Sequence, residues 1–375
     1  MASVSALGSS PEQLWAGYTT GRALFKPTSS LPYSPLGSYL PDSLVKQLDE
    51  LAKSDSNYAR LDRSVLMAIL AARQTLKQAG ISTQNLGVNL GSSRGATQLF
   101  EAYYDSFLNQ QQAKTLASPT TTLGNISAWV AQDLGAQGAA ISHSVTCSTG
   151  LHAVLNGIAW LTAGMADSFL VGATEAPLTP FTVGQMQALK IYSRDSGVHP
   201  CRALDFKKKS NTMILGEAAA TAILRKGKHK DAQGHIIGYG WGTEVLTHHT
   251  SLTMQASCFV DAMQRALDGA NLETVDAIVA HAPGTILGDQ AEFNAIKRIF
   301  GNEIPFLTTN KTIIGHTLGA SGMMSLEMAL LMLSNNTVID PIYYSNLNKS
   351  AKPLKTVLVN AVGFGGNAVS IIVTK

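Results

Sequence analysis

The sequence predicts an α/β protein built from a duplicated unit, with each half centred on a largely parallel β-sheet. Segments with the apolar spacing of helices alternate with short apolar runs typical of buried strands. A series of these elements recurs in the same order in the second part of the chain. Charged residues make up only 14% of the 375 residues, against roughly 25% in an average domain. A large share of the surface must therefore be buried in a core and in subunit contacts.

Helix and strand patterns alternate along the first half. Residues 64–79 place leucine and isoleucine about one helical turn apart, and Gly80 follows as a stop signal. Residues 86–91 form a short apolar run before a Gly-Ser turn, which predicts a buried strand. The same criteria predict a helix over 120–134, a strand over 141–146, a helix over 151–163 and a strand over 168–172. This order indicates parallel strands covered by helices on both faces.

The second half repeats these elements. Residues 365–375 (GGNAVSIIVTK) match 216–226 (GEAAATAILRK) in length, in their small-residue start and in their basic end. The charged, turn-prone stretch 226–231 joins the two halves, so we place the N-terminal half at 1–230 and the C-terminal half at 231–375. The other repeated elements are a helix over 259–270, a strand over 277–280, a strand over 305–309 and a helix over 320–333.

Composition excludes several classes of protein. The net charge is only +3, and the Lys-Lys-Lys run at 207–209, which we expect to be a solvated loop, is the sole basic block, so nucleic acid is not the expected ligand. The sequence has no apolar run long enough for a membrane span and no secretory signal pattern. Three cysteines provide neither a disulfide framework nor a zinc cluster, and His248-His249 lacks a third ligand, so no metal is expected. We expect a cytoplasmic, oligomeric protein.

Cys147 is the strongest candidate for a nucleophile. It lies in Ser-Val-Thr-Cys-Ser-Thr-Gly, between a predicted strand and an almost uncharged helix. A residue at such a turn presents its side chain at the helix N-terminus, where unpaired N–H groups are expected to lower the pKa of a thiol. A single cysteine is more often a buried structural residue, and we expect that role for Cys201 and Cys258.

Two of the nine histidines have contexts that suit catalysis. His281 follows the predicted strand over 277–280, and His316 follows a glycine before a predicted helix. In the duplicated scheme both lie at strand ends on the face that carries Cys147, where α/β folds build their sites. Imidazole N–H groups beside a thiol suit acyl chemistry because they can stabilise an oxyanion or an enolate. Lys311 needs an anionic partner there, and Glu292 is the available carboxylate.

These motifs together resemble the β-ketoacyl-acyl-carrier-protein synthase family, which has a thiolase-like fold. The resemblance covers nearly the whole chain and implies layers in the order α-β-α-β-α, with two mixed, mainly parallel sheets. It rests on Thr146-Cys147-Ser148-Thr149-Gly150, His281-Ala282-Pro283-Gly284-Thr285 followed by Glu292, Lys311, Gly315-His316, and Gly363-Phe364-Gly365-Gly366-Asn367-Ala368.

The resemblance implies an acyltransferase that performs a decarboxylative Claisen condensation. Cys147 would accept an acyl group from a carrier protein, and the backbone N–H groups of Cys147 and Phe364 would form the oxyanion hole. His281 and His316 would assist decarboxylation of malonyl-carrier protein, while Lys311, paired with Glu292, would orient them. Two histidines point to the elongating branch of the family. No bound cofactor is expected, because 4'-phosphopantetheine arrives on the carrier protein.

The resemblance also implies substrate and partner contacts. Thr285, Thr250 and Gly365 would contact the substrate, with Phe364 as a gate. Arg63, Arg202 and Lys207 would dock the acidic carrier protein. A homodimer is expected, or a heterodimer with a related ketosynthase or chain-length factor, through the sheet edge at 141–145.

Departures from the family pattern bear on the substrate. Ala282-Pro283 replaces the usual small-residue and threonine pattern, and Gly366 stands before Asn367 where the family usually has a threonine. They suggest a specialised polyene or polyketide pathway rather than general fatty-acid synthesis.

Two other functions were considered. A non-catalytic partner subunit of the chain-length-factor type resembles this family but usually lacks the nucleophile, whereas Cys147 is present. A thiolase, or another acyltransferase on the same fold, is the second alternative. A thiolase is expected to carry a second catalytic cysteine near the end of the chain, and no cysteine follows Cys258.

Overall fold

A computed structural model describes residues 1–28, 34–245, 252–346 and 353–375. The strands are β1 (Ala2–Ser5), β2 (Lys26–Pro27), β3 (Leu36–Gly37), β4 (Leu86–Gly91), β5 (Ala140–Ile141), β6 (Ser168–Glu175), β7 (Ala218–Arg225), β8 (His235–Thr243), β9 (Ala277–Val279), β10 (Phe306–Thr308), β11 (Thr356–Gly363) and β12 (Asn367–Thr374). The helices are α1 (Pro11–Thr20), α2 (Asp42–Ser54), α3 (Arg63–Ala79), α4 (Thr97–Gln110), α5 (Ala117–Thr121), α6 (Asn125–Leu134), α7 (Thr149–Thr162), α8 (Pro180–Ala188), α9 (Ser257–Ala270), α10 (Ile286–Phe300), α11 (Lys311–Ile314) and α12 (Ser321–Asn335). No helix in these ranges is both long and apolar enough to cross a bilayer.

The two large sheets have the same strand order, which confirms the predicted duplication. The first runs β1-β7-β6-β4-β5 and the second β8-β12-β11-β9-β10. In each sheet the last three strands pair in parallel and the first two pairings are antiparallel. The predicted boundary between residues 230 and 231 lies in the connection from β7 to β8.

Helices α7 and α12 lie between the two sheets, which explains why they carry so little charge. Leu151 and Val154 of α7 and Met324 of α12 share one buried cluster with Val171 of the first sheet and Val359 of the second. Outside this central layer, α3 and α6 pack on the first sheet, and α9 and α10 pack on the second. The resulting α-β-α-β-α arrangement is the predicted one, and it leaves α7 buried on both sides.

Several element bounds follow the sequence closely. Helix α3 ends before Gly80, which adopts the left-handed conformation with φ 59° and donates its N–H to Leu76. Strand β4 has the predicted bounds, 86–91. The helix predicted over 120–134 is divided into α5 and α6, since Thr122 adopts extended backbone angles.

The predicted strand over 141–146 is wrong beyond Ile141. Its polar groups bond residues of α6, β4 and α7 instead of forming a strand ladder. The N–H of Ser127 donates to the Ser142 hydroxyl at 3.0 Å, and the amide of Asn89 bonds Nδ1 of His143 at 3.0 Å. The N–H of Val145 donates to a side-chain hydroxyl at 2.9 Å. Side-chain partners of this kind compete with regular secondary structure.

Candidate active site

Cys147 lies in a tight turn immediately before α7. Thr146 adopts the left-handed conformation with φ 49°, and Ser148 precedes the first residue of the helix. The Thr149 hydroxyl ties the turn together, since it accepts the Val145 N–H at 2.9 Å and donates to the Thr146 carbonyl at 2.6 Å. The elbow expected from the sequence is therefore present, and it presents a buried Cys147 at the start of the helix.

The environment of Cys147 favours the neutral thiol. Burial, assisted by the nearby Glu175 carboxylate, raises the pKa of the Cys147 thiol to about 12. The charges of Lys311 and Arg94 and a hydrogen bond from the Phe364 N–H act in the opposite direction. The expectation of a lowered thiol pKa is therefore wrong. Removal from water outweighs the stabilisation available at a helix N-terminus.

His281 and His316 lie together, with ring centroids 5.0 Å apart and planes at 81°. Nδ1 of His316 accepts the N–H of Leu318 at 3.1 Å, so a neutral His316 carries its hydrogen on Nε2. Burial lowers the pKa of His316 to about 3 and the pKa of His281 well below its usual value, and the Lys311 charge lowers both. Both imidazoles are thus neutral near pH 7.

Lys311 and Glu292 are both buried, but they do not form the ion pair predicted from the sequence. Nζ of Lys311 donates to Oδ1 of Asn310 at 2.9 Å. The Glu292 carboxylate accepts the backbone N–H groups of His281 at 2.9 Å and Ala282 at 2.8 Å. Glu292 is therefore directed at the loop that carries His281, and the loop satisfies its oxygens. Burial lowers the pKa of Lys311 to about 8 and raises that of Glu292 to about 7.

Phe364 lies in the turn between β11 and β12, next to the nucleophile turn. Its carbonyl accepts the Thr146 hydroxyl at 3.1 Å, and its ring is partly exposed. Gly363 allows this close approach, because a Cβ there would lie 1.9 Å from Oγ1 of Thr146 and 3.2 Å from the backbone nitrogen of Cys147. Gly365, with φ 98°, continues the turn in a conformation that favours glycine.

A cavity of about 230 Å³ joins these groups. Thr285 caps α10 by accepting the Gly288 N–H at 3.2 Å, and it lines the cavity together with Gly365. The predicted substrate residue Thr250 and the pair His248-His249 lie outside the described residues. The remaining lining side chains include Cys147, Met186, Leu189, Ile191, Asn211, Met213, His281, Pro283, Leu287, His316, Leu318 and Phe364.

Comparison with known proteins assigns the family. Residues 1–230 match the model of the beta-ketoacyl synthase N-terminal domain, and residues 234–344 match that of its C-terminal domain. The chain belongs to the β-ketoacyl synthase family. It is therefore an acyltransferase of the condensing type, which confirms the reaction class expected from the sequence.

Individual relatives cover almost the whole chain. It is 26% identical to 3-oxoacyl-[acyl-carrier-protein] synthase 2 of Coxiella burnetii, over 99% of this chain and 96% of that protein. It is 28% identical to the tetracenomycin polyketide synthase ketoacyl synthase alpha subunit of Streptomyces glaucescens, over 96% and 92%. Among solved structures, the ishigamide ketosynthase/chain length factor has a TM-score of 0.85 at 18% identity, covering 100% of this chain and 97% of that one. This last likeness concerns the fold alone.

The burial of the Lys208–Asp289 pair and of Glu175, beside the site, was not predicted from the sequence. Lys208, expected in a solvated loop, is buried and donates from Nζ to Oδ2 of Asp289 at 2.7 Å. Oδ1 of Asp289 accepts the Gly284 N–H at 2.9 Å. Glu175, at the end of β6, accepts N–H groups from Ser93 and from Gly319. For Asp289 the sequence did offer a signal. Asp289 and Glu292 are three residues apart on a predicted helix, which places both carboxylates on one face.

The predicted docking residues occupy different surroundings. Arg63 is half-buried, and its guanidinium donates twice to the Glu217 carboxylate, at 2.8 Å in each case. Nε of Arg202 donates to Asp205 at 2.7 Å, and this guanidinium remains partly exposed. Lys207 is exposed. The docking role of these three cations stays a prediction.

Proposed function

We propose that this β-ketoacyl synthase lengthens a carrier-bound acyl chain by two carbons, in fatty-acid or specialised polyene or polyketide synthesis. The observation that carries the proposal is the shared cavity of Cys147, His281, His316 and Phe364, in which His316 is held as an Nε2–H donor. A thiol, two neutral imidazoles and a backbone N–H at one point match the needs of acyl transfer followed by enolate chemistry.

The first step transfers the acyl group to Cys147. The sulfur attacks the carbonyl carbon of the acyl thioester. The new oxyanion accepts hydrogen bonds from the backbone N–H groups of Cys147 and Phe364. The intermediate collapses with loss of the pantetheine thiolate, which takes up the proton that the Cys147 thiol gives up. The turn of Phe364 contacts the turn of Cys147, and we assign the Phe364 N–H to the developing negative charge.

The second step makes the carbon–carbon bond. A malonyl thioester loses CO₂, and the electron pair of the broken bond forms an enolate whose oxygen accepts N–H groups from His281 and His316. The enolate carbon attacks the Cys147 thioester, and the Cys147 thiolate leaves and takes a proton from solvent. A neutral imidazole retains one N–H, so each ring can donate one hydrogen bond to the enolate oxygen.

Lys311 and Glu292 support the histidines in this scheme. The Lys311 charge opposes protonation of both imidazoles, and Glu292 fixes the backbone of His281. Both are therefore positioning residues. We assign no direct contact between either of them and the substrate.

The substrates arrive on an acyl carrier protein, whose 4'-phosphopantetheine arm would pass Thr285 and Gly365 at the cavity mouth. One solved neighbour is a type II polyketide synthase acyl-carrier protein in complex with its ketosynthase, with a TM-score of 0.84 at 20% identity, over 99% of this chain and 97% of that one. Arg202 and Lys207 are the cations proposed to meet the acidic carrier protein. We place the reaction in the cytoplasm, which fits three free cysteines.

We further propose a dimer with a second copy or with a related ketosynthase subunit. Helix α4 has no buried residue, and Phe100, Tyr104 and Leu108 follow one face of it with 60%, 56% and 52% exposure. The Ser144 hydroxyl donates to the Ser93 carbonyl at 3.4 Å, shortly before α4 begins. Ser144 thus contacts the segment that leads into α4, and we propose that residues 141–145 and the exposed α4 face both belong to the interface.

The decisive experiment supplies the protein with acyl- and malonyl-carrier protein and measures products by mass spectrometry. We expect a β-ketoacyl product two carbons longer than the primer, and none from Cys147→Ala. In His281→Ala and in His316→Ala, the rate of CO₂ release from malonyl-carrier protein should fall strongly. No product and no CO₂ from the unaltered protein would favour the non-catalytic partner role instead.

A further inference from the structure

The imidazole of His143 closes the turn that carries Cys147. His143 follows β5 and stands four residues before Cys147. Its Nε2 lies 3.2 Å from the carbonyl oxygen of Thr149, the first residue of α7, and its own carbonyl accepts the N–H of Ser92 at 3.3 Å. A side chain at the start of the turn is therefore joined to the backbone at its end. The reaction steps proposed above give His143 no role.

The other ring nitrogen of His143 is held by Asn89 of β4, which is fully buried. Nδ2 of Asn89 lies 3.0 Å from Nδ1 of His143 and 2.8 Å from the carbonyl oxygen of Ile141. Oδ1 of Asn89 accepts an N–H from the amide of Asn156 in α7 at 3.0 Å. The ring and this amide together connect β4, the segment after β5 and α7.

These partners fit only one form of the His143 ring. The Ile141 carbonyl can only accept, so it fixes the amide nitrogen of Asn89, whose second hydrogen goes to Nδ1 of His143. The Thr149 carbonyl also can only accept, so Nε2 of the ring carries the hydrogen. Protonation would add an N–H at Nδ1 against the Asn89 amide, which is a donor too, and that hydrogen bond would break. The neutral ring is therefore the form that closes the turn.

The turn depends on such contacts because its backbone is strained. Thr146 has φ 49°, a left-handed conformation that β-branched residues rarely adopt. Backbone of this kind persists only where the surroundings determine it. Strand β4 lies close against the turn, since an added Cβ at Gly91 would be 2.6 Å from the His143 carbonyl oxygen and 2.2 Å from Cγ2 of Thr149. The His143 ring is thus one of the contacts that hold a strained turn against β4.

The surroundings of His143 offer little compensation for a charge. Burial lowers the pKa of His143 below its usual value, and the hydrogen bond to Thr149 opposes this shift. His152 of α7 is the titratable group that faces it, and a charge on His143 lowers the pKa of His152 as well. Within the described ranges, the bonds of these two rings go to amide and carbonyl groups and not to a carboxylate. His143 is therefore neutral at pH 7 and gains a proton only in acid.

We propose that His143 is a positioning residue for Cys147. Its neutral ring holds the turn in the form that directs the thiol into the cavity, and protonation of the ring releases the turn and slows acylation of Cys147. The effect on acylation rests on the function proposed above, whereas the effect on the turn does not.

The first test is alkylation of the three cysteines with iodoacetamide at pH 7.5, followed by peptide mass spectrometry. His143→Phe keeps a ring of similar size and removes both nitrogens. We expect Cys147 to react at least threefold faster in this variant, because a released turn exposes the buried thiol. Cys201 and Cys258, which are also buried, should react at the unaltered rate.

His229→Phe is the matched control. His229 is exposed in the connection from β7 to β8, and its Nε2 likewise bonds a backbone carbonyl, at 3.0 Å. The substitution therefore removes the same kind of hydrogen bond outside the nucleophile turn. It should leave the alkylation rates of all three cysteines unchanged.

The second test measures acyl transfer from a carrier-bound acyl thioester to Cys147, by mass spectrometry of the intact protein between pH 5 and 8. His143→Phe should slow the transfer at least tenfold at pH 7.5. His143→Gln, whose amide can donate to the Thr149 carbonyl without titrating, should recover at least a third of the unaltered rate. The ratio of the His143→Gln rate to the unaltered rate should rise at least threefold from pH 7.5 to 5, since titrations common to both proteins cancel in this ratio.

Several results would overturn the proposal. Equal alkylation of Cys147 in His143→Phe and His229→Phe would show that the ring does not hold the turn, and faster alkylation of the other two cysteines would indicate general unfolding. Tyr104→Glu, on the exposed α4 face, is alkylated in parallel; an equal increase at Cys147 would assign the exposure to loss of the proposed dimer. A constant rate ratio across the pH range would exclude the effect of protonation. If the unaltered protein takes up no acyl group, the proposed function fails, but the alkylation rates still decide the role of His143.

Discussion

The tautomer of His316 is set by a single backbone group. Because Leu318 donates to Nδ1, the useful hydrogen is on Nε2, and a glutamine amide can supply a donor near that position. We expect His316→Ala to lower decarboxylation of malonyl-carrier protein by about 10²–10³-fold, the usual cost of one oxyanion donor. His316→Gln should recover at least tenfold of this loss. Release of labelled CO₂ measures both, and equal rates in the two variants would contradict the donor role.

At the residue scale, the sequence predicts which candidate catalytic groups come together but not their electrostatics. Cys147 and the two histidines have recognisable contexts, since a strand, a small-residue turn and a helix follow one another along the chain. The thiol pKa depends on burial, which comes from residues remote in sequence such as Met213 and Leu318. The predicted ion pair between Lys311 and Glu292 is wrong for a similar reason. Backbone N–H groups compete for the Glu292 carboxylate, and the sequence does not show which backbone groups lie near it.

At the scale of elements, the candidate active site depends on contact between the turn that carries Cys147 and the turn between β11 and β12. Gly363 faces the nucleophile turn, and an added Cβ would also lie 2.6 Å from the Val145 carbonyl. We expect Gly363→Ala to reduce condensation at least tenfold and to lower the free energy of unfolding by about 1–3 kcal/mol, as overpacking does.

Gly269→Ala in α9 is the matched control, because nothing lies within 4 Å of the added Cβ. It should leave condensation unchanged and stabilise the helix slightly. Product formation and urea denaturation measure both variants. A Gly363→Ala enzyme with unaltered rate would contradict the contact described between the two turns.

The elements with strong local signals were the predictable ones. Helix α3 has an apolar face and a glycine stop, and the prediction of its bounds holds to one residue. The pattern after β5 suggests a longer strand, but Ser142 bonds Ser127 of α6 and Val145 bonds Thr149 of α7 instead of a neighbouring strand. The duplication was predictable because both halves repeat one order of elements.

The proposed dimer is tested at the scale of the whole molecule. Tyr104→Glu places a charge in the middle of the exposed α4 face, where burial of an unpaired carboxylate would be costly. We expect this variant to sediment as a monomer where the unaltered protein is dimeric. Val198→Glu is the control, since Val198 is 85% exposed in a loop and lies outside that face. A dimeric Tyr104→Glu protein would exclude α4 from the interface.

Stability should depend on pH through three buried carboxyl groups. Burial raises the pKa of each of Glu175, Glu292 and Glu327 from 4.5 to about 7. Between these values each of these carboxyl groups binds a proton in the folded chain that the unfolded chain has released, so the three groups lower the free energy of unfolding as the pH rises from 5 to 7. Below about pH 6.5 the lowered pKa values of His281 and His316 act in the opposite direction.

Glu327 offers the cleanest test of this dependence, because it lies outside the active site and accepts the Ser3 hydroxyl at 2.5 Å. Glu327→Gln should make the decline between pH 5 and 7 smaller, by up to about 3 kcal/mol. Urea denaturation at several pH values measures this slope. Glu50→Gln, at an exposed position in α2, should not change it. If the Glu327→Gln curve runs parallel to that of the unaltered protein, Glu327 does not contribute to the pH dependence.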